Sequence, residues 1–332
     1  MTLSHDATAA LDLLAQARVI RCVCHKNPDG DALGSLLGLV HLLEQHLPLA
    51  MVTAHCVDAI PTSFQYLPGV GRVQRELQLT AGDVVVMLDC ADAKLTGLVQ
   101  THPQLFDGTV ATLNVDHHYL NPRFGRLNLI IEASSTCEIL TKLADHWQWS
   151  LSPDVATCLL TGVLTDTGGL LHSNTSADVY RTVSQLLRAG ASHQQVITSV
   201  FRTAQVSTLR LWGRVLEKIT LTDDGGAVSA VTQGDFRATG ADPSELSGAI
   251  DYVNAVPGMR FSLVLSERDG LVKGSLRTLR DDVDVSAMAA QYQGGGHRKA
   301  AGFSVTGKLQ PEVRWKVVEP SGTSTDVIPA AA

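Results

Sequence analysis

The sequence predicts an α/β protein: an N-terminal, mainly parallel sheet flanked by helices, then a smaller C-terminal α+β domain. Three observations carry that expectation. Between residues 19 and 190, short β-branched runs alternate with leucine-rich stretches of helical spacing, the pattern of a parallel sheet with helices on its faces. The run Val84-Val85-Val86-Met87-Leu88 is apolar without alternation, as a strand buried on both faces requires. After about Leu216 the texture changes to strand-like runs joined by turn residues such as Asp269-Gly270.

The 332 residues suffice for two domains with a sizeable core. A composition 45% hydrophobic and 18% charged is ordinary for a globular protein, and a net charge of −7 excludes a global basic field that would draw in long nucleic acid. Asp6 precedes the first apolar run and no basic segment leads it, so no secretory signal is expected; no stretch is apolar enough to span a bilayer. The six cysteines show no zinc-type pairing and sit mostly in apolar runs, as reduced thiols in a cytoplasmic core would.

Taken in order, Ala7 to Ala17 reads as an amphipathic helix and Val19 to Cys24 as the first strand. A loop turned by Pro28 and Gly30 leads into a helix carrying Leu33, Leu36, Leu37, Val40 and Leu43. Strands are expected at Ala50–Val57, Asp83–Asp89, Thr109–Val115 and Leu129–Ile131. Ser134-Ser135-Thr136 opens a helix to about Trp147, and Ser152-Pro153 opens another through Val163. Asp178 to Ala189 is a helix closed by Gly190. The expected division is 1–190 for the first domain, 191–215 for a helical connector, 216–310 for the second domain and 311–332 for a poorly ordered tail. In the second domain, Asp223 to Gly226 is a hairpin turn, Asp242 to Val253 helical, and Phe261–Leu265, Leu271–Leu276 and Ala301–Val305 strands.

Chemistry-bearing residues recur where the first domain's elements end: His25, Asp29 and Asp31 after the first strand, Asp89 after the third, Asp116-His117-His118 after the fourth, and Asp166 at a helix end. Any one alone reads as a cap or a turn residue. Together they place several carboxylates and imidazoles at one end of one sheet, where ligands bind in such folds. Divalent cations neutralise such a cluster, and Mn²⁺, Mg²⁺ or Zn²⁺ suits these donors.

In order, the motifs are His25-x-Asn27-Pro28-Asp29-Gly30-Asp31-Ala32-Leu33-Gly34-Ser35, Asp89, Asp116-His117-His118 and Thr161-Gly162-x-x-Thr165-Asp166-Thr167-Gly168. With Gly274-Ser275-Leu276-Arg277 and Gly294-Gly295-Gly296-His297 they resemble the DHH phosphoesterase superfamily and its DHH-associated domain over nearly the whole chain except the tail. The two-domain build resembles the NrnA-type branch of oligoribonucleases and pAp phosphatases. The absence of a membrane or sensory segment sets it apart from the tethered cyclic-dinucleotide phosphodiesterases. The GGGH element sets it apart from family II pyrophosphatases, and its size from RecJ-type exonucleases.

The resemblance implies an active site in the cleft between the domains. It implies two divalent cations, Mn²⁺ preferred over Mg²⁺. One would be held by His25, Asp29 and Asp89, the other by Asp31, Asp89, His117 and Asp166, with Asp89 bridging. Asp116 would orient an imidazole and His118 would meet the substrate phosphate; roles for Asn121, Arg123 and Ser135 stay open. Arg277, Gly294, Gly295, Gly296 and His297 would grip the substrate. The implied enzyme is a cytoplasmic metal-dependent phosphodiesterase/exoribonuclease and 3′(2′),5′-bisphosphate nucleotidase. Its substrates would be short RNA or DNA oligonucleotides, the linear dinucleotide pApA and 3′-phosphoadenosine 5′-phosphate (pAp). It has no membrane partner, and a homodimer is compatible with it. Its rivals are a soluble cyclic-dinucleotide phosphodiesterase, a RecJ-like exonuclease and a non-enzymatic nucleotide-binding protein. Cys90 reads as core, and eight other histidines, among them His41, His46, His55 and His172, read as ordinary surface.

Overall fold

A computed structural model of the chain describes residues 3–246, 248–310, 316–318 and 324–326. The chain divides into two compact units, with the boundary between Thr203 and Ala204.

The first unit is built on strands β1 (Val19–Cys24), β2 (Met51–His55), β3 (Val84–Leu88), β4 (Ala111–Asp116) and β5 (Leu127–Ile130). They pair in parallel in the order β2-β1-β3-β4-β5. Parallel pairing requires helical or long crossovers. Helix α1 (Leu3–Gln16) precedes the sheet, and α2 (Gly30–His46) follows β1. The chain then adds α3 (Thr136–His146), α4 (Pro153–Asp166) and α5 (Ala177–Arg188). Strand order reverses at β1/β3, so the crevice at their carboxyl ends is the topological switch point.

Helix α2 is buried almost all round, as expected of a helix sandwiched in a core, and it packs chiefly against α4. Its glycines make that approach close enough. A Cβ on Gly34 would lie 2.5 Å from the Cys158 carbonyl oxygen, and one on Gly30 would lie 2.4 Å from the Thr165 side chain. Helix α4 answers with Gly162, where a Cβ would meet Cys137 Sγ at 2.3 Å and Asp31 Oδ1 at 2.5 Å. Fully buried Leu33, Leu36, Leu37, Leu39, Leu42 and Leu43 hold the helix in place, each stabilising by about 1.5–3 kcal/mol. All six cysteines are free and buried.

The helical connector expected over 191–215 is interrupted. Helix α6 (His193–Val196) runs into a π turn over Ile197–Phe201, and α7 (Val206–Glu217) begins afresh in the second unit. There the chain adds β6 (Thr220–Leu221), β7 (Gly226–Val231), α8 (Gln233–Thr239), α9 (Ala249–Asn254), β8 (Phe261–Arg268) and β9 (Leu271–Arg277). It closes with α10 (Val285–Ala290), β10 (Gly295–His297) and β11 (Ala300–Thr306). The sheet order is β10-β11-β9-β8-β7-β6, with only β7 and β8 parallel.

One expected helix is corrected here and one unforeseen helix is added. The helix expected from Asp242 to Val253 is a 3₁₀ turn, Pro243–Leu246, followed by α9 from Ala249, whose N-cap Gly248 sits at φ +89°. Helix α8, not foreseen, is set by a capping box between Thr232 and Asp235. The tail expected over 311–332 lies outside the described residues except for Lys316–Val318 and Ser324–Asp326, which pair antiparallel. Among the described residues, no helix is long and apolar enough to cross a membrane.

Candidate metal centre

The strands end together, so their terminal side chains converge. His25 follows β1, and its Nε2 lies 3.7 Å from Asp29 Oδ1 and 3.5 Å from Asp89 Oδ2. Its Nδ1 lies 2.8 Å from the Lys26 carbonyl, so Nδ1–H donates there and Nε2 is presented to the carboxylates. Asp29 caps α2, its Oδ1 accepting the N–H groups of Asp31 and Ala32 at 3.0 Å each. Asp89 stands just past β3 with φ +58°, left-handed backbone that is costly for a non-glycine residue and points to a held conformation.

His117 Nε2 faces three carboxylates: Asp166 Oδ2 at 3.3 Å, Asp89 Oδ1 at 3.5 Å and Asp31 Oδ2 at 4.0 Å. The two oxygens of Asp89 are therefore divided between two imidazoles. Asp116 is fully buried. Its Oδ1 accepts from the His117 backbone N–H at 2.9 Å and from His118 Nδ1–H at 2.8 Å, while Oδ2 accepts from Asn121 Nδ2 at 2.6 Å.

The titration of these groups reflects crowding. Burial, with the Asp89 carboxylate, pushes Asp31 up to about 7. Burial and the Asp31 and Asp89 carboxylates push Asp166 well up, and burial also raises Asp89. Against the opposing effect of burial, Asp29 and Asp89 hold His25 up at about 11, and Asp116 raises His118. Asp31 and Asp89, buried, and Asp166, half-buried, are three crowded carboxylates that the protein itself does not neutralise; with the imidazoles they face they form a donor set that fits hard or borderline divalent cations. Two groups of ligand atoms lie close enough to hold an ion each: His25, Asp29 and Asp89, and Asp31, His117 and Asp166. A third, overlapping group is Asp89, Asp116, His117 and His118.

The DHH family, N-terminal domain, matches residues 19–163, and the DHHA1 domain matches residues 223–318. A Thermus thermophilus protein named bifunctional oligoribonuclease and PAP phosphatase NrnA is 32% identical over 298 residues, covering 89% of this chain and 86% of its own. The chain belongs to the DHH family. A Bacillus subtilis protein of the same name is 24% identical, covering 85% of this chain and 87% of its own. The crystal structure of an exopolyphosphatase-related protein from Bacteroides fragilis superposes with a TM-score of 0.82 at 26% identity, covering 92% of each chain.

Several residues that shape the DHH centre are not apparent from the ligand motifs. The N-terminus of α3 points at it: the Thr136 and Cys137 backbone N–H groups donate to Asp31 Oδ2 and Oδ1 at 2.7 and 3.0 Å. The Thr136 hydroxyl donates to Asp89 Oδ1 at 3.1 Å. The Ser135-Thr136 cap marks a helix start in the sequence, but nothing local says what that start faces. Ser135 itself caps α3, accepting from the Glu138 N–H at 3.0 Å. Asn121 ties Asp116 to the Cys90 carbonyl, which its Nδ2 reaches at 2.9 Å, and its Oδ1 accepts from the Arg123 N–H. Cys90 is core, as expected, and His172 is exposed.

His55, expected at the surface, is buried. Its Nδ1–H donates to the Glu76 carbonyl at 2.8 Å, and Nε2 accepts from the Thr53 hydroxyl at 2.8 Å. It pins the segment after β2 to the sheet. Burial lowers its pKa.

In the second unit, Gly295 to His297 of the Gly294-Gly295-Gly296-His297 element form the edge strand β10. Packing accounts for two of the element's glycines. A Cβ on Gly294 would lie 2.3 Å from the Gly302 carbonyl oxygen, and one on Gly296 would lie 2.6 Å from that of Ala300. A Cβ on Gly295 meets open space. Arg277 and His297 both pair with Ala300, from opposite sides, so the three form one row across β9, β11 and β10.

Proposed function

We propose that the protein is a two-cation phosphoesterase. Its substrates are oligonucleotides of a few residues, including pApA, and pAp, from which it removes the 3′-phosphate. The observation that carries this reading is Asp89: one buried carboxylate whose two oxygens each face a different imidazole at 3.5 Å. A carboxylate so divided is what a pair of cations set for in-line phosphoryl displacement needs between them.

In this reading His25, Asp29 and Asp89 hold one cation, and Asp31, Asp89, His117 and Asp166 hold the other. Bound there, the cations supply Lewis-acid activation of water and charge neutralisation on the phosphoryl group. Mn²⁺ is the proposed native ion, with Mg²⁺ the substitute; both suit the oxygen-rich donor set. Asp116 fixes the His118 ring through Nδ1, and His118, its charged form favoured by that contact, offers a donor to the substrate phosphate as negative charge develops. Arg277 and His297 grip a further phosphate, Arg277 in bidentate fashion, with Gly295 leaving the backbone approachable; Gly294 and Gly296 shape that strand. The names of the relatives support the choice of substrates. Six buried free thiols support a reducing, cytoplasmic location.

The test is phosphate and mononucleotide release by the purified protein with Mn²⁺, from a panel of pAp, pApA, cyclic di-AMP, a five-mer and a long single strand. Turnover of pAp and the five-mer is the expected result. Inertness toward both, with metal bound, refutes it.

A further inference from the structure

The second sheet has an open half-face with an unusual make-up. Registers across the sheet set three successive rows on one side: Ser262-Arg277-Ala300-His297, then Val264-Ser275-Gly302-Gly295, then Ser266-Lys273-Ser304. Where β7 and β8 carry this side, Ala227, Ser229, Val231, Ser262 and Val264 are buried, packed in part against α7 and α9. Over β9, β11 and β10 the same side is uncovered: Lys273, Ser304, Gly295 and His297 are exposed, and Arg277, Ser275, Gly302 and Ala300 are half-buried.

This uncovered patch carries cations and small residues, and no row of it contains a carboxylate. Lys273 makes no ion pair among the described residues, whereas Lys299, Arg280 and Arg268 nearby each pair with an aspartate. The charge of Lys273 over a floor of Ser, Gly and Ala is suited to a flexible anionic backbone, which needs charge and close approach but no shaped pocket. Lys273 lies four residues from Arg277 along β9, about 13 Å away at strand rise. At that spacing the two side chains are set for phosphates of separate nucleotides along a strand rather than for one phosphate.

We propose that Lys273 is a specificity-determining contact of the short-oligonucleotide reaction. It binds a backbone phosphate of a nucleotide beyond the one held at Arg277, and so favours oligonucleotides of several residues over pAp. Ser275 and Ser304 flank the path as neutral hydrogen-bond donors. The inference rests on the phosphoesterase reading and adds to it a site for substrate length.

The experiment compares wild type, Lys273→Gln and Lys273→Arg. A fluorescein-labelled five-mer with cleavage-resistant phosphorothioate linkages is titrated in the presence of Mn²⁺ by anisotropy at several salt concentrations. The ratio of kcat/KM on an unmodified five-mer to that on pAp is measured alongside. In Lys273→Gln the five-mer binds roughly tenfold more weakly, the expected loss of one charge-assisted contact. The slope of log Kd against log salt falls by about 0.7, the single-strand value for one phosphate contact. The kcat/KM ratio falls with it through KM, and Lys273→Arg restores both. Unchanged affinity and slope in Lys273→Gln, or an equal loss on pAp and the five-mer, overturns the proposal. A wild type that binds the five-mer but cleaves nothing would instead refute the enzymatic reading, while the salt slopes still decide the role of Lys273.

Discussion

Replacing Thr136 by Val separates the Asp89 carboxylate from a supporting hydroxyl while leaving the shape of the site intact. The hydroxyl donates to Asp89 Oδ1 at 3.1 Å, and both residues are buried. Valine is nearly isosteric, and the Thr136 backbone N–H that serves Asp31 stays in place. Only one bond is removed, and with a cation held its acceptor is an ionised carboxylate, so it is worth about 1.5–3 kcal/mol. At 1.36 kcal/mol per tenfold, that is roughly a 10- to 100-fold loss of cation affinity, the usual cost of changing a group that orients a ligand. Competition of Mn²⁺ between the protein and a fluorescent chelator measures the loss. Thr136→Ser, which keeps the hydroxyl, recovers most of it, whereas a general packing defect would follow side-chain volume instead. If Thr136→Val binds Mn²⁺ as tightly as wild type, the hydroxyl does not orient Asp89 for a cation.

Asp89→Ala abolishes turnover on every substrate and weakens Mn²⁺ binding beyond the Thr136 effect; wild-type release of phosphate from pAp would disprove the ligand assignment. Arg277→Ala and His297→Ala keep both cations by metal analysis but raise KM on pAp and dinucleotides by an amount equivalent to about 1.5–3 kcal/mol, and unchanged kinetics in both would move the phosphate grip elsewhere. Gly162→Ala forces a methyl to within 2.3 Å of Cys137 Sγ and 2.5 Å of Asp31 Oδ1, so it costs about 1–3 kcal/mol in a urea melt and also weakens Mn²⁺ binding; a neutral melt would show that α2 and α4 can part without strain. The rise in Tm on adding Mn²⁺ to chelator-treated protein grows from pH 5.5 to 8. Asp31 and His25 are both raised, so across this window the metal-free fold retains protons that the unfolded chain releases, and it loses stability as pH rises; metal binding removes those protons. A rise in Tm independent of pH would contradict this.

The parallel sheet and its ligand-bearing ends were readable because they rest on local signals. Runs such as Val84 to Leu88 can only be buried strands, and a strand end fixes where the next residue must stand. The described structure departs from the expected pattern at α8, opened by the local capping box of Thr232 and Asp235, and elsewhere where long-range contacts decide. The helix start at Ser135-Thr136 is plain, but its aim at Asp31 depends on how α3 packs against α2, which no local pattern encodes. His55 sits on an ordinary-looking edge strand, and only the return of the chain to Glu76 buries it. The glycines of the Gly294–Gly296 segment resemble an anion-binding loop, yet two of the three are demanded by the closeness of β11.

The directions of the carboxylate shifts sort the acids of the centre by what neutralises them. Asp116 is held low despite burial because His118 and Asn121 meet both of its oxygens. Asp29 is held low by His25 and by the two N–H groups it caps. These two are ionised by the protein's own donors. Asp31, Asp89 and Asp166 are pushed up, although Asp31 already accepts two N–H groups from the start of α3 and Asp89 a hydroxyl. What the protein cannot neutralise is thus confined to three side chains, all within 4.0 Å of His117 Nε2. A mere nucleotide-binding pocket has no use for three crowded carboxylates, which repel the phosphates it would bind. With cations supplied, the same three become the means of holding them, and the neutralised cluster turns from repelling phosphate to attracting it.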